Sequence, residues 1–249
     1  MAKFAVMGSP IAHSYSPTLH RAAFAHLGVD ADYQAEDIKS LDSVDFDNYL
    51  GLSLTMPLKL DAFELADTHD DESLATGVSN TLLISNGYKT ALNTDVYGIA
   101  KSVENLDCAT VQIVGTGATA KSAALALRER KIFFHGRNPE KIQMITDWAE
   151  SQSIEITNKQ SVDLVIDTTP GETYLEYVRH SYVLDVAYVS DRNSGARGLI
   201  SGLEMLLHQA VLQNISFSSP FVSEKIDALT LTEVMRRALA ERVGEWSNA

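Results

Sequence analysis

The sequence predicts an α/β fold built as two domains, and three observations support this interpretation. The chain has 249 residues, and at about 100–200 residues per domain this length suits two modest domains. Short β-branched runs alternate with helical stretches in the second half, which is typical of a parallel sheet. The character of the sequence changes near Val96, so we expect a domain boundary there.

The composition is that of a soluble globular protein with an acidic surface. Hydrophobic residues make up 45% of the chain and charged residues 21%, which argues against disorder, collagen and coiled coil. Lys and Arg total 20 against 33 Asp and Glu, so the net charge is −13. Such a chain is poorly suited to bind nucleic acid or an anionic membrane, and we expect neither partner. An anionic small molecule would need local clusters of positive charge.

The first half of the chain alternates strand and helix signals. A short apolar run at 4–8 predicts a strand that stops at a glycine. Ser16 then suits an N-cap, Pro17 the first helical position and Gly28 the end of that helix. Further expected elements are strands at 31–36 and 50–55, a helix from Pro57 to about residue 66, and strands 78–84 and 88–92 around the turn Asn86-Gly87.

The second half predicts a doubly wound parallel sheet. Strand signals at 110–114, 132–134, 163–167 and 182–186 alternate with helical stretches at about 118–130 and at 139–151. This alternation is the pattern of βαβ units, and it predicts a Rossmann-like arrangement. Two helices, about 202–213 and 223–243, close the chain.

A glycine motif stands between the first strand of this series and its helix. It has the form Gly115-x-Gly117-x-x-Ala120. Glycines there let backbone N–H groups at a helix N-terminus approach a pyrophosphate. A tight strand-to-helix turn without a ligand would give the same string. In the strand–turn–helix context we expect a dinucleotide, contacted by Gly115, Gly117 and Ala118.

The next strand ends in two cations rather than an acid. NAD-binding folds usually have an acidic residue there to hold the ribose hydroxyls. This chain has Arg137 and Lys141, both of which can face a 2′-phosphate. The cations favour NADP over NAD, although solvated cations at a helix start would look the same.

Lys59 and Asp95 are the candidates for acid–base chemistry, and spacing alone says little about either. A lysine soon after a strand and a proline is usually exposed. Asp95 lies where the two predicted domains join, and clefts between domains bind ligands. The alternative for Asp95 is a helix N-cap.

Cysteine and histidine usage argues against disulfide and metal chemistry. The single cysteine, Cys108, permits no intrachain disulfide, and the seven histidines have no metal-binding spacing. We expect no metal, and we expect His13 and His20 to be structural hydrogen-bonding residues. The apolar start is too short for a signal peptide and no run of about 18 apolar residues follows, so we expect a cytoplasmic protein.

Taken together, these residues resemble the shikimate dehydrogenase family along nearly the whole chain. The matching motifs, in chain order, are Gly8-Ser9-Pro10-Ile11-Ala12-His13-Ser14-Tyr15-Ser16-Pro17, Ser53-Leu54-Thr55-Met56-Pro57-Leu58-Lys59, Gly77-Val78-Ser79-Asn80-Thr81, Asn93-Thr94-Asp95-Val96-Tyr97-Gly98, Asp185-Val186-Ala187-Tyr188 and the segment from Gly202 to Gln209. The main departures are Ser53 and Asp167 where the family has Asn, Gly136 and Asn138 on either side of Arg137, and Ser201 where the family has Asp.

The resemblance implies a set of site residues. Ser14 and Ser16 hold the substrate carboxylate, and Lys59 and Asp95 form the catalytic pair, with the proton-moving member of the pair left open. The remaining implied contacts are Thr55, Asn80, Tyr188 and Gln209 for the substrate, with Gly202 in the cofactor site.

The resemblance also implies an activity and a division of labour between domains. The activity is reversible, NADP-dependent oxidation of shikimate to 3-dehydroshikimate in aromatic amino-acid biosynthesis. Residues 1–96 and 203–249 would bind the substrate, and residues 97–202 would form the Rossmann-like NADP domain. The alternatives are a quinate/shikimate dehydrogenase that uses NAD and a catalytically idle binding paralogue. We expect a monomer or a homodimer.

Overall fold

The chain folds into two compact units in a computed structural model that describes residues 1–158, 161–170, 177–188 and 198–244. The first unit contains residues 1–94 and the described residues from Leu206 onward. The second contains the described residues between Asp95 and Met205. Each unit has its own β-sheet, and together they form the α/β fold that the sequence predicts.

Helices are distributed over both units. Among the described residues they are α1 (Ser16–Leu27), α2 (Lys59–Leu65), α3 (Asp71–Thr76), α4 (Thr94–Ser102), α5 (Ala118–Ala126), α6 (Pro139–Ser151), α7 (Gly202–Ser218) and α8 (Ala228–Val243). No helix of the described part is long and apolar enough to cross a membrane.

The first unit has a mixed sheet. Its described strands are β1 (Ala2–Gly8), β2 (Ala31–Asp37), β3 (Gly51–Leu54), β4 (Thr68–His69), β5 (Thr81–Ser85) and β6 (Tyr88–Leu92), in the spatial order β2-β1-β3-β5-β6-β4. β1 is parallel to β2 and β3, whereas β5 is antiparallel to β3 and β6. The ends of β1 and β3 and the start of β5 therefore lie at one edge of the sheet.

Aromatic packing attaches α7 to this sheet. The Phe4 ring on β1 lies 4.9 Å from the Phe24 ring of α1 and 5.0 Å from the Phe217 ring of α7, measured between centroids. All three side chains are buried, so they are removed from water and stabilise the contact among the three elements.

Two helix starts differ from the prediction. Ser16 is the first helical residue of α1 rather than its N-cap, which is Tyr15. The Ser16 side chain is buried beside Tyr33, and the N-cap residue makes no side-chain hydrogen bond to the start of α1. Helix α2 begins at Lys59 rather than Pro57 because residues 55–58 form a turn, closed by the Leu58 N–H donating to the Thr55 carbonyl at 2.8 Å.

The second unit has a sheet whose described strands are all parallel. They are β7 (Thr110–Val114), β8 (Lys131–His135), β9 (Leu164–Asp167), β10 (Tyr182–Asp185) and β11 (Leu199–Ser201), in the order β8-β7-β9-β10-β11. The order reverses between β7 and β9, which makes the sheet doubly wound, as predicted. Ligands of such sheets bind at the carboxyl ends of the strands beside this switch point.

The differences in the second half of the chain are local. Strand β11 has no counterpart in the prediction. Helix α5 ends at Ala126 rather than near Arg130, because the Arg130 N–H donates to the Leu127 carbonyl in a turn that leads into β8. Helix α8 begins only at Ala228, where the Asp227 carboxylate caps it by accepting from the Thr230 N–H.

Candidate active site

Two loops meet at the polar edge of the first sheet. Gly8 ends β1, and a Cβ built on it would lie 2.3 Å from Cγ2 of Thr55. The Ser9 N–H donates to the Met56 carbonyl at 2.9 Å. Only glycine permits this approach at position 8, and it brings the serine motif against the loop that leads to Lys59.

Ser14 and Ser16 occupy the first of these loops. Ser14 is partly exposed, and its Oγ accepts from the Ser16 N–H at 3.3 Å, in the way a cap residue satisfies a helix start. Ser16 is buried close to Tyr33, whose hydroxyl donates to Ser53 Oγ at 2.7 Å. Burial raises the pKa of the Tyr33 phenol well above its usual value, so Tyr33 is neutral.

Thr55, Lys59 and Asn80 lie next to one another along the second loop. The Leu54 N–H donates to the Asn80 carbonyl at 2.7 Å, and the Ser79 N–H donates to the Lys59 carbonyl at 2.9 Å. These two bonds hold the Asn80 segment against the start of α2. Both Thr55 and Lys59 are partly exposed, so a ligand can reach both side chains.

The Asn80 side chain joins three parts of the first unit. Its Nδ2 donates to Thr94 Oγ1 at 2.9 Å and to Gln209 Oε1 at 3.2 Å, and its Oδ1 accepts from the Thr94 N–H at 2.9 Å. Asn80 is 2% exposed and Gln209 is 7% exposed. The structure therefore brings Asn80 and Gln209, predicted from separate motifs, into direct contact.

Asp95 follows Thr94 in the first turn of α4 and is buried. It is the second helical residue, so it is not the N-cap considered as an alternative. Its backbone is anchored through Thr94 to Asn80. Asp95 is the first residue of the second unit.

A buried cluster behind these residues is absent from the sequence prediction. Its centre is Gln213, which contacts Ser53, His20 and Thr81. His20 is fully buried and stacks on Tyr33 with ring centroids 4.3 Å apart, and burial lowers the pKa of His20 to about 3. His20 is thus a structural hydrogen-bonding residue, as expected. One sequence signal points to Gln213: it stands four residues after Gln209, which puts the two amides on one helix face.

The second unit contains a glycine turn at its switch point. Gly115 has φ +115°, and a Cβ on it would lie 2.3 Å from Thr168 Oγ1, so the turn requires glycine. Around Gly117, by contrast, no described atom lies within 4 Å of a built Cβ. Gly117 is also the N-cap residue of α5, which begins at Ala118. Open space at a helix N-terminus fits a dinucleotide pyrophosphate.

The two predicted cations flank the start of α6. Arg137 and Lys141 are exposed, and neither forms an ion pair with another residue of the described ranges. Asn138 lies between them and caps the helix by accepting from the Glu140 and Lys141 N–H groups at 2.9 and 3.1 Å. This cap fixes the direction of α6 and leaves both cationic heads available to an anion.

Gly202 and Tyr188 lie elsewhere in the second unit. A Cβ on Gly202 would come within 2.4 Å of the Asp185 carbonyl oxygen and 2.8 Å of that of Val186, so close backbone packing already accounts for this glycine. Tyr188 is half-buried, three residues beyond the end of β10. Their cofactor and substrate contacts stay predictions. Within the described ranges, no group of three His, Cys, Asp or Glu side chains is arranged to hold a metal.

The folds of the two units and their candidate sites indicate a class of enzyme. A doubly wound sheet with an open glycine turn, in a chain that also has a sheet with a polar edge, is typical of dinucleotide-dependent dehydrogenases.

Comparisons with known proteins agree with that class and define the family. Residues 6–82 match the family model of the shikimate dehydrogenase substrate binding domain. The shikimate dehydrogenase (NADP(+)) of Leptospira interrogans is 29% identical over 280 aligned positions, covering 96% of each chain. That of Ignicoccus hospitalis is 32% identical over 182 positions, covering 67% of this chain and 68% of its own. The crystal structure of Mycobacterium tuberculosis shikimate dehydrogenase has a TM-score of 0.78 at 27% identity, covering 97% of this chain and 100% of that one. This chain belongs to the shikimate dehydrogenase family.

Proposed function

We propose that this protein is an NADP-dependent shikimate dehydrogenase, which reversibly oxidises shikimate to 3-dehydroshikimate in the biosynthesis of aromatic amino acids. The observation that supports it most directly is the polar edge of the first sheet. There Asn80 and Gln209, which match the family's substrate contacts in two distant motifs, hydrogen-bond each other at 3.2 Å.

The substrate carboxylate is held by hydroxyl groups in this proposal. Ser14 and Ser16 lie in the loop after β1, joined by the bond from the Ser16 N–H to Ser14 Oγ. Two hydroxyl donors bind a carboxylate by charge-assisted hydrogen bonds, so no buried cation is needed. Thr55, Asn80, Gln209 and Tyr188 contact the hydroxylated ring.

The chemical step removes a hydride and a proton from one carbon–oxygen group of the substrate. NADP, when bound, accepts the hydride from C3 of shikimate. The hydroxyl proton passes to the pair formed by Lys59 and Asp95, and the C–O bond becomes a carbonyl. Burial of Asp95 and partial exposure of Lys59 suit a pair in which the carboxylate orients the ammonium and the amine reaches the substrate.

The second unit is proposed to bind the cofactor. Gly115, Gly117 and Ala118 receive the pyrophosphate at the start of α5, and Gly202 contributes a further cofactor contact. Arg137 and Lys141 bind the 2′-phosphate, which is the group that distinguishes NADP from NAD. In this assignment residues 1–96 and 203–249 form the substrate domain and residues 97–202 the NADP domain. We further propose a cytoplasmic monomer or homodimer.

A spectroscopic assay tests the proposal. Purified protein is mixed with shikimate and NADP, and the absorbance band of reduced nicotinamide is followed over time. We expect one reduced cofactor for each 3-dehydroshikimate formed. Tight shikimate binding without any turnover would favour the idle binding paralogue instead.

A further inference from the structure

Gln213 lies at the centre of the buried cluster in the first unit. It is 1% exposed, and both the nitrogen and the oxygen of its amide form hydrogen bonds. Its Nε2 donates to the Asn80 carbonyl at 3.1 Å and to Thr81 Oγ1 at 2.8 Å. Its Oε1 accepts from Ser53 Oγ at 2.8 Å and lies 3.3 Å from His20 Nε2.

The amide of Gln213 sets the direction of the hydrogen bonds around it. Because Oε1 can only accept, Ser53 must donate to it and His20 must hold its proton on Nε2. The other His20 nitrogen, Nδ1, then accepts from Asn214 Nδ2 at 3.2 Å. With its proton committed to Gln213, Ser53 accepts from the Tyr33 hydroxyl, and Ser16 is buried beside Tyr33.

The same amide also reaches the other side of the site. The Asn80 carbonyl that it binds is shared with the Leu54 N–H, and the Asn80 side chain contacts Gln209. One buried side chain thus contacts both Ser53, which accepts from Tyr33, and the Asn80 segment, whose side chain contacts Gln209.

We propose that Gln213 is a positioning residue for shikimate, which holds the Asn80 backbone directly and fixes Ser53 and, through it, the Tyr33 hydroxyl. The proposal rests on the proposed function and deepens it, because it assigns substrate affinity to a residue that touches no substrate. The proposal also explains why this chain has Ser53 where the family motif has Asn. The Gln213 amide takes the place of the amide that the Asn would supply.

Available space supports this equivalence. Ser53 is buried and its Oγ lies 2.8 Å from Gln213 Oε1. An asparagine at position 53 would extend two heavy atoms further and enter the volume that the Gln213 amide fills, and close-packed interiors do not hold both. Ser53 and Gln213 therefore form a matched pair.

The test measures KM for shikimate and kcat in four enzymes. Gln213→Met keeps the volume and removes the hydrogen bonds, and we expect KM to rise about tenfold while kcat falls less than threefold. Asn214→Met is the matched control, because Asn214 is equally buried on α7 and its side chain contacts His20 and Ser218 rather than Ser53 or Asn80. The KM of Asn214→Met should stay within about twofold of wild type, even if its melting temperature falls by as much as that of Gln213→Met. In Ser53→Asn/Gln213→Ala the asparagine replaces the lost amide, so KM should return to within about threefold of wild type.

Each outcome decides between the alternatives. A folded Gln213→Met enzyme with wild-type KM would overturn the positioning role while leaving the proposed function intact. If Gln213→Met does not fold, the double variant decides: recovery of KM supports the proposal, and a raised KM or failure to fold overturns it. A wild-type enzyme that does not oxidise shikimate would overturn the proposed function, and this inference with it.

Discussion

Hydrogen bonds hold the backbone at Lys59 and at the residue before it. The preceding turn is closed by the Leu58 N–H, and the Lys59 carbonyl accepts from the Ser79 N–H, so the lysine is presented from a fixed point. We expect Lys59→Ala to lower kcat by roughly 10²–10⁴, the usual contribution of a positioned acid or base. Shikimate affinity, measured by equilibrium binding without cofactor, should change little.

The control for this variant is Lys39→Ala, since Lys39 is an exposed lysine of the same unit. It makes the same change in net charge, and its kcat should stay at the wild-type value. A near-native kcat in Lys59→Ala would remove this residue from the mechanism.

His20 gives the first unit a predictable sensitivity to acid. Its pKa is lowered from 6.5 to about 3 by burial, so the unfolded chain takes up a proton at a pH where the folded chain does not. Stability from this group is complete above pH about 6.5 and falls as the pH decreases toward about 3, by about 1.4 kcal/mol per pH unit. Between pH 6.5 and 5, we expect a loss of about 2 kcal/mol in the free energy of unfolding that His20→Gln does not suffer.

Denaturant unfolding at several pH values measures this difference. His26→Gln is the control, because His26 is exposed near the end of the same helix. It should keep the wild-type pH dependence. Parallel curves for wild type and His20→Gln would mean that His20 is protonated in the folded protein.

Residue identities predicted much of the site but not its interior. Asn80 and Gln209 were identifiable because each stands in a motif that resembles one of the shikimate dehydrogenase family. Gln213 was not, since its role depends on contacts with Ser53, His20 and Thr81 from three other elements. Ser16 was misassigned as a cap for the same reason: its burial beside Tyr33 depends on tertiary packing, which overrides a local preference.

Among the elements, the turn between β7 and α5 contains two glycines with opposite requirements. Gly115 has a positive φ and faces Thr168, whereas Gly117 has φ −90° and open space around a built Cβ. Gly115→Ala should therefore lower stability by about 1–3 kcal/mol, seen as a lower melting temperature. Gly117→Ala should melt like wild type and yet raise KM for NADP at least tenfold, because only the cofactor would meet its methyl group. Equal KM values for wild type and Gly117→Ala would place the pyrophosphate elsewhere.

The start of α6 decides which dinucleotide the second unit prefers. Arg137 can grip a 2′-phosphate with two donors, and Lys141 adds a point charge one turn further. Arg137→Ala should raise KM for NADP about tenfold and leave KM for NAD nearly unchanged. Arg128→Ala, an exposed arginine beyond the far end of α5, makes the same change in charge and should alter neither constant.

Element boundaries followed from the sequence where local signals were strong. Helix α6 spans residues 139–151 as predicted, because Pro139 and the Asn138 cap define its start. Strand β11 was missed since it has only three residues and exists through its pairing with β10. A strand that short has no period to detect.

At the scale of the whole molecule, the resemblance of motifs along the chain predicted that distant segments share one unit, which local helix and strand signals could not predict. Gln209 comes near the end of the sequence but lies in the first unit, bonded to Asn80.

The net charge of −13 would repel both phosphorylated cofactor and substrate anion, so binding depends on local donors and cations rather than on the overall field.

The most direct test of the account is a comparison of kcat/KM for shikimate and quinate, each with NADP and with NAD, in the wild-type enzyme. We expect the highest value for shikimate with NADP, because the polar edge matches the family's shikimate contacts and the start of α6 presents two cations to the 2′-phosphate. A higher value for quinate with NAD would contradict both assignments and identify a quinate dehydrogenase.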